Sequence, residues 1–321
     1  MIISASRRTD IPSFYSEWFY NRIRDGYCTV PNPFNANQVS FVDLSPDMVD
    51  VIVFWTRNAN PLTKYLDKLD ELGYKYYFQY TINNLPRVYE KFNPSFDVVT
   101  DNFISLSRRL GIGKTIWRYD PIIFTDDLTP EFHINNFKRI FNKIGNYTKR
   151  IVISIVDNYN KTDRRLAKLG THYFNDQIER PYLIELLNKF VVLVNENGLE
   201  IQTCAESKDF SNIGIKHGKC IDDELINEEF GKIINYKKDK TQRLACGCTV
   251  SKDIGINNTC LMGCEYCYAT SSHNLAIKNK QKHDPNFSSI IVHELSEELL
   301  NKIKDFKSGK REKLEQIEFD F

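Results

Sequence analysis

The sequence predicts an α/β protein built as a (β/α) barrel of the TIM type, complete or partial, with a cysteine-rich segment towards its C-terminal end. Three observations carry that prediction. Between residues 1 and 207, six short runs rich in Ile, Val, Phe, Tyr or Trp alternate with longer helical patterns, as parallel strands joined by helical crossovers do. Each run is followed by a polar cluster, and in a barrel such strand ends converge on one mouth. Neither a repeat of fixed period nor a Pro/Gly-rich linker divides the chain. We therefore expect a barrel body over residues 1–240 and a cysteine-rich segment with a terminal helix over 241–321, packed as one domain.

The expected strands are residues 2–6, 51–55, 76–80, 115–118, 151–155 and 199–203. None alternates strictly between apolar and polar, which suits strands buried on both faces. A helix is expected over 95–110, closed by Gly111. The next begins with Thr129 as cap, Pro130 in its first turn and Glu131 as an early acid. It carries Phe132, Phe137, Ile140, Phe141 and Ile144 at helical spacing and ends at Gly145. From Pro181 another helix turns Leu183, Leu186, Leu187, Phe190, Val191 and Val194 inward and stops near Gly198. Residues 294–308 form a last amphipathic helix.

With 321 residues, 41% hydrophobic and 26% charged, the chain has ample material for a packed core, which excludes disorder as its main state. A formal net charge of +1 excludes a chain-wide basic surface for nucleic acid. No apolar run approaches the roughly 20 residues needed to span a bilayer, and the first residues lack the apolar stretch of a signal peptide. The expectation is a soluble, cytoplasmic protein with no membrane partner. Lys278, Lys280, Lys282, Lys302, Lys304, Lys307, Lys310, Arg311 and Lys313 make the end of the chain basic. Interspersed acids favour a solvated face there over a nucleic-acid contact.

Eight cysteines are distributed unevenly. Cys28 stands alone in the first 200 residues and reads as a small buried hydrophobe. The other seven lie between residues 204 and 267, in tight spacings that point to metal ligation in a reducing compartment. Cys260, Cys264 and Cys267, on a loop containing Gly263, can ligate three irons of a cubane and leave the fourth open. Cys204, Cys220, Cys246 and Cys248 make a second set of four, open to an iron–sulfur cluster, a tetrahedral zinc or unligated thiols. His217, three residues before Cys220, is a spare ligand, and no histidine pair has helical zinc spacing.

The polar clusters beyond the strands are Arg7, Arg8, Thr9 and Asp10; Thr56, Arg57 and Asn58; Thr81 and Asn83; Tyr119 and Asp120; Asp157 and Asn158; and Glu206. Arg118, Asp120, Glu206 and Asp10 are the candidate catalytic residues. Arg118 has two readings: a bidentate grip on a carboxylate or phosphate, or an internal pair with Asp120. A metal-assisted hydrolase using Asp10, Asp120 and Glu206 would explain the polar mouth but leave the cysteines unused. No glycine-rich phosphate loop of the Walker type occurs.

The motif Cys260-x3-Cys264-x-Tyr266-Cys267 resembles the cluster motif of the radical S-adenosylmethionine superfamily. The resemblance implies a [4Fe-4S] cluster on these three cysteines, S-adenosylmethionine on the fourth iron, and reductive cleavage to a 5'-deoxyadenosyl radical. It also implies a reductant such as a flavodoxin or ferredoxin. The ending Cys264-Glu265-Tyr266-Cys267-Tyr268-Ala269 is similar to that of the spore photoproduct lyase branch, which repairs DNA. Two features depart from the superfamily: the cysteine loop comes late in the chain, and no Gly-Gly-Glu segment follows the second strand. A permuted barrel, with residues 254–258 as the strand leading into the loop, would answer the first. For the second, Arg7, Thr56, Arg57, Asn58 and Arg118 are the candidates to bind the cofactor. Over nearly its whole length the chain resembles the family named domain of unknown function 1848, through residues 3–12, 54–58, 117–121, 203–206 and 246–268. The expected function is a radical S-adenosylmethionine-like enzyme of unknown substrate. The alternative is a binding protein braced by iron–sulfur or zinc, associated with nucleic acid.

Overall fold

The computed structural model describes residues 1–35, 37–169 and 179–309. Lys310, Arg311 and Lys313 of the basic run lie outside the described residues. The strands are β1 (Ile2–Ala5), β2 (Tyr27–Pro31), β3 (Val39–Asp43), β4 (Val51–Thr56), β5 (Tyr76–Thr81), β6 (Thr115–Ile122), β7 (Arg150–Ile155), β8 (Glu200–Cys204), β9 (Lys216–Gly218) and β10 (Lys252–Asp253). The helices are α1 (Ile11–Phe14), α2 (Ser16–Asp25), α3 (Asn60–Thr63), α4 (Leu66–Glu71), α5 (Phe96–Leu110), α6 (Pro130–Ile144), α7 (Asn160–Leu166), α8 (Leu183–Glu196), α9 (Asp223–Phe230), α10 (His273–Lys280) and α11 (Glu297–Lys307). All six expected strands form, as do the four expected helices.

Eight strands make one sheet in the order β10-β1-β4-β5-β6-β7-β8-β9, and every pairing in it is parallel. From β1 to β9 the strands follow chain order without reversal, so right-handed crossovers all pass on the same face. That is the winding of a barrel. Closure, however, is not formed among the described residues: β10 pairs with β1 and β9 with β8, and neither outer edge joins the other. The protein is therefore a mixed α/β structure with a parallel eight-stranded central sheet. At two and three residues, the edge strands are too short to supply the staggered ladder that closure needs.

A second correction concerns the segment before the cysteine loop. The strand there is Lys252–Asp253, ahead of the expected 254–258, with Ile254 donating one more backbone bond to Ser4. Asp253 fixes this edge by accepting from Ser4 Oγ (2.8 Å), Ser6 Oγ (2.7 Å), the Arg7 amide (2.9 Å) and Arg8 Nε (3.1 Å). The antiparallel hairpin β2–β3 was not foreseen and stands apart from the main sheet.

The two sheet faces are covered differently, which explains the lack of alternation. On the crossover side, Phe54, Phe78 and Trp117 pack in the main core with Phe103 of α5, Phe137 of α6 and Phe190 of α8. On the other side, Val51, Val53, Tyr77, Ile116 and Val152 pack against Cys220, Ile221, Leu225, Ile226, Cys246 and Cys248. The segment carrying the second cysteine set is thus the lining of the sheet's inner face. Cys28 is fully buried in the main core, as expected.

Candidate functional site

The cysteine loop packs beyond the ends of β4 and β5. Cys260, Cys264 and Cys267 line one cavity of about 60 Å³ together with Lys91, Arg165 and His273. Gly263 permits the turn: its φ is +65°, and a Cβ there would lie 2.5 Å from the Phe92 ring. Arg165 clamps the loop from α7 by donating to the carbonyls of Cys267 and Thr270. The Glu265 amide bonds Tyr89 O at 3.0 Å, and the Phe92 amide bonds Met262 O at 3.2 Å. Beneath the loop, Arg57 pairs with Glu90 at 2.6 Å and donates to the Tyr266 hydroxyl at 2.5 Å, while that hydroxyl donates to Glu90. Burial pushes the Cys264 thiol up to about 12, with the Arg57 cation opposing, and pushes Cys260 well above the ordinary thiol range.

The second set of thiols also assembles. Cys220 Sγ donates to Cys204 Sγ at 3.0 Å, and the amides of Cys220 and Ile221 point at Cys248 Sγ, each at 3.4 Å. The neighbouring Cys220 and Cys246 thiols, together with the Arg7 cation and the Ile221 amide, hold Cys248 below the ordinary thiol range. Cys204, accepting from Cys220, is lowered to about 7. Arg118 Nη1 approaches Cys220 Sγ at 2.7 Å and Gln79 Oε1 at 3.1 Å, and its Nε reaches Asp120 at 2.9 Å. The guanidinium groups of Arg118 and Arg7 lie 5.1 and 5.4 Å from the Trp55 ring centroid.

A polar chain joins the two cysteine groups. Asn83 donates to Asp120 O (2.9 Å) and to the Tyr266 hydroxyl (3.3 Å), and the Asp120 amide returns a bond to Asn83 Oδ1 (2.8 Å). The path therefore runs from Arg57 through Tyr266, Asn83, Asp120 and Arg118 to Cys220.

Of the residues singled out from sequence, Arg118 and Asp120 form the internal pair, and the arginine directs its donors to Asp120, Gln79 and Cys220. Asp10 caps α1 through the Ser13 amide (3.0 Å) and accepts from Thr56 Oγ1 and the Arg57 amide, both at 2.8 Å. Its burial raises its pKa to about 6. Thr56 Oγ1 in turn accepts from the Asn58 amide, so these residues shape the turn after β4. Glu206 accepts from the Ile155 amide at 2.7 Å, and burial raises it to about 8. Arg8 is paired with Asp253. His217 is exposed and bonded to Ala245 O at 2.7 Å rather than to a thiol. Glu90, Gln79, Arg165 and Asp253 were missed. Their neighbours are distant in sequence, and no local spacing marks them.

Among the described residues, no three His, Cys, Asp or Glu side chains converge as a formed metal site. The donor chemistry nonetheless fits thiophilic metal: seven thiols in two groups, one beside the half-buried Arg57 and the other beside the buried Arg118. The 3.0 Å contact between Cys204 and Cys220 is shorter than the edge of about 3.8 Å that a tetrahedron with zinc–sulfur bonds near 2.3 Å requires. Those two thiols would have to part to hold an ion.

A family model described as Domain of unknown function (DUF1848) matches residues 2–269. No curated protein matches the chain. Among solved structures, a short-chain type dehydrogenase/reductase from Mycobacterium marinum is similar at 8% identity and a TM-score of 0.25, over 63% of this chain and 72% of that one. At that score neither fold nor activity follows.

Proposed function

The chain belongs to the domain of unknown function 1848 family, and from that premise we propose a radical S-adenosylmethionine-like iron–sulfur enzyme with its cluster on Cys260, Cys264 and Cys267. The observation that carries the reading is that these three thiols, from one short loop, line a common cavity. When bound, such a cluster supplies the electron that cleaves S-adenosylmethionine. This chain's own residues hold the loop and set its charge. Arg57 places a cation beside Cys264, which favours the thiolate a metal requires. Glu90 and Tyr266 anchor that cation from below, and Arg165 fixes the loop's far end. The polar strand ends would form the mouth of a partial barrel in which a substrate is oriented. A flavodoxin or ferredoxin would be the reductant.

A second reading has an observation of its own. The four thiols of Cys204, Cys220, Cys246 and Cys248 are packed into the inner face of the sheet, where zinc or a further cluster would brace the fold of a binding protein.

Electron paramagnetic resonance of anaerobically reconstituted, dithionite-reduced protein, with and without S-adenosylmethionine, tests the first reading. The expected result is a [4Fe-4S] signal that changes on cofactor addition and is lost from this site in Cys264→Ala. A signal indifferent to the cofactor would sink the radical assignment. Protein that binds zinc and no iron would transfer the weight to bracing.

A further inference from the structure

A second, larger cavity of about 620 Å³ lies on the other side of Arg57 and Glu90, between the connection from β5 to α5 and the start of α6. That volume is in the range of small-molecule sites. Its wall is residues 82–95, a long connection of the sort that compact domains keep for binding. Here the wall is well anchored: Asn84, at φ 49°, donates to Asn136 Oδ1 at 2.8 Å, and Asn136 donates to Asn83 O at 2.6 Å.

The lining has a definite chemistry. Arg57, Arg87 and Arg139 face a single carboxylate, Glu90, which Arg57 already neutralises. Arg87 donates to the Asn93 carbonyl and Arg139 lies 4.5 Å from the Phe96 ring centroid, and neither makes an ion pair among the described residues. Two lining guanidinium groups are thus without a carboxylate partner, and a guanidinium fork is a group that suits phosphate. Phe132 supplies flat apolar surface in the same lining, and Arg139 covers one face of Phe96. Asn93 and Asn135 add polar side chains to the same lining.

From two lining arginines without a carboxylate partner and an aromatic surface beside them, we propose that this cavity binds a nucleoside monophosphate. The phosphate meets Arg87 and Arg139, and the base lies against Phe132. The proposal goes beyond the cluster reading and does not depend on it, because the measurement involves no electron transfer and no S-adenosylmethionine.

The test is calorimetric titration of the full chain with AMP, CMP, GMP and UMP, and with ribose 5-phosphate. Saturable binding of at least one nucleotide is expected, weakened by about ten-fold or more in the double variant Arg87→Gln/Arg139→Gln, which alters two exposed side chains. Ribose 5-phosphate should bind about ten-fold more weakly than that nucleotide. Absence of saturation by all four nucleotides up to about 5 mM, on the scale of the weakest specific affinities, would overturn the proposal. So would unchanged affinity in the double variant, or ribose 5-phosphate binding as tightly as the nucleotide.

Discussion

His133 shows how a single buried side chain makes the whole fold sensitive to acid. Its Nδ1 meets the Tyr119 hydroxyl at 2.7 Å and its Nε2 meets the Ile123 carbonyl at 2.8 Å. A neutral ring that donates from Nε2 and accepts at Nδ1 satisfies both partners. Burial lowers its pKa from 6.5 to about 4, so the folded state excludes the proton that the unfolded chain accepts. The stabilisation is complete above about pH 6.5 and is lost as the pH falls through about 4, a change of about 3 kcal/mol. Urea denaturation between pH 7.5 and 4 should therefore show a steep fall for the parent. His133→Gln should be less stable at pH 7.5 and fall less steeply. An unchanged slope in the variant would refute this account. Sequence placed Arg118 and Asp120 at one strand end, but whether the cation was free or paired depended on Gln79 and Cys220, which tertiary structure brings to it.

At the scale of elements, the layer of α6 and α8 on the sheet carries a dense aromatic stack. Phe137 lies 3.9 Å from Phe190 and 4.8 Å from Trp117 between ring centroids. Phe137→Ala should cost about 3–5 kcal/mol, read as a lower urea midpoint with an unchanged slope. These elements were legible because their signals are local: the Thr129 cap does accept the Phe132 amide at 3.2 Å, and the apolar residues recur at helical spacing. The six long strands were legible for the same reason. β9 and β10 were not, since two or three residues have no period and Lys252–Asp253 owes its strand character to β1, far away in sequence.

For the molecule as a whole, Asp253 ties the late part of the chain to its first strand. Asp253→Ala would leave Ser4, Ser6 and Arg8 without their acceptor, and should destabilise the fold by about 3–5 kcal/mol. Thermal denaturation alongside Asp253→Asn, which keeps part of the hydrogen bonding and should lose less, would check it. Equal loss in both variants would mean that the charge alone matters. The two cysteine groups were legible from spacing. The chain of Tyr266, Asn83 and Asp120 that joins them was not, because its members come from the cysteine loop, the connection after β5 and the end of β6, far apart in sequence. Among the described residues, no helix is long and apolar enough to cross a membrane.

The pairing of β1 with β10 also has a consequence for synthesis. On its outer edge β1 finds a partner only at residues 252 and 253, although its other edge pairs with β4, and the inner face of the sheet awaits residues 220–248. At a ribosomal rate of about 5–20 residues per second, the first strand exists for roughly 12–50 s before its outer neighbour is made. During that interval the nascent sheet exposes an unpaired edge and an apolar face, so a translating ribosome holds a chaperone substrate until residues 220–253 emerge.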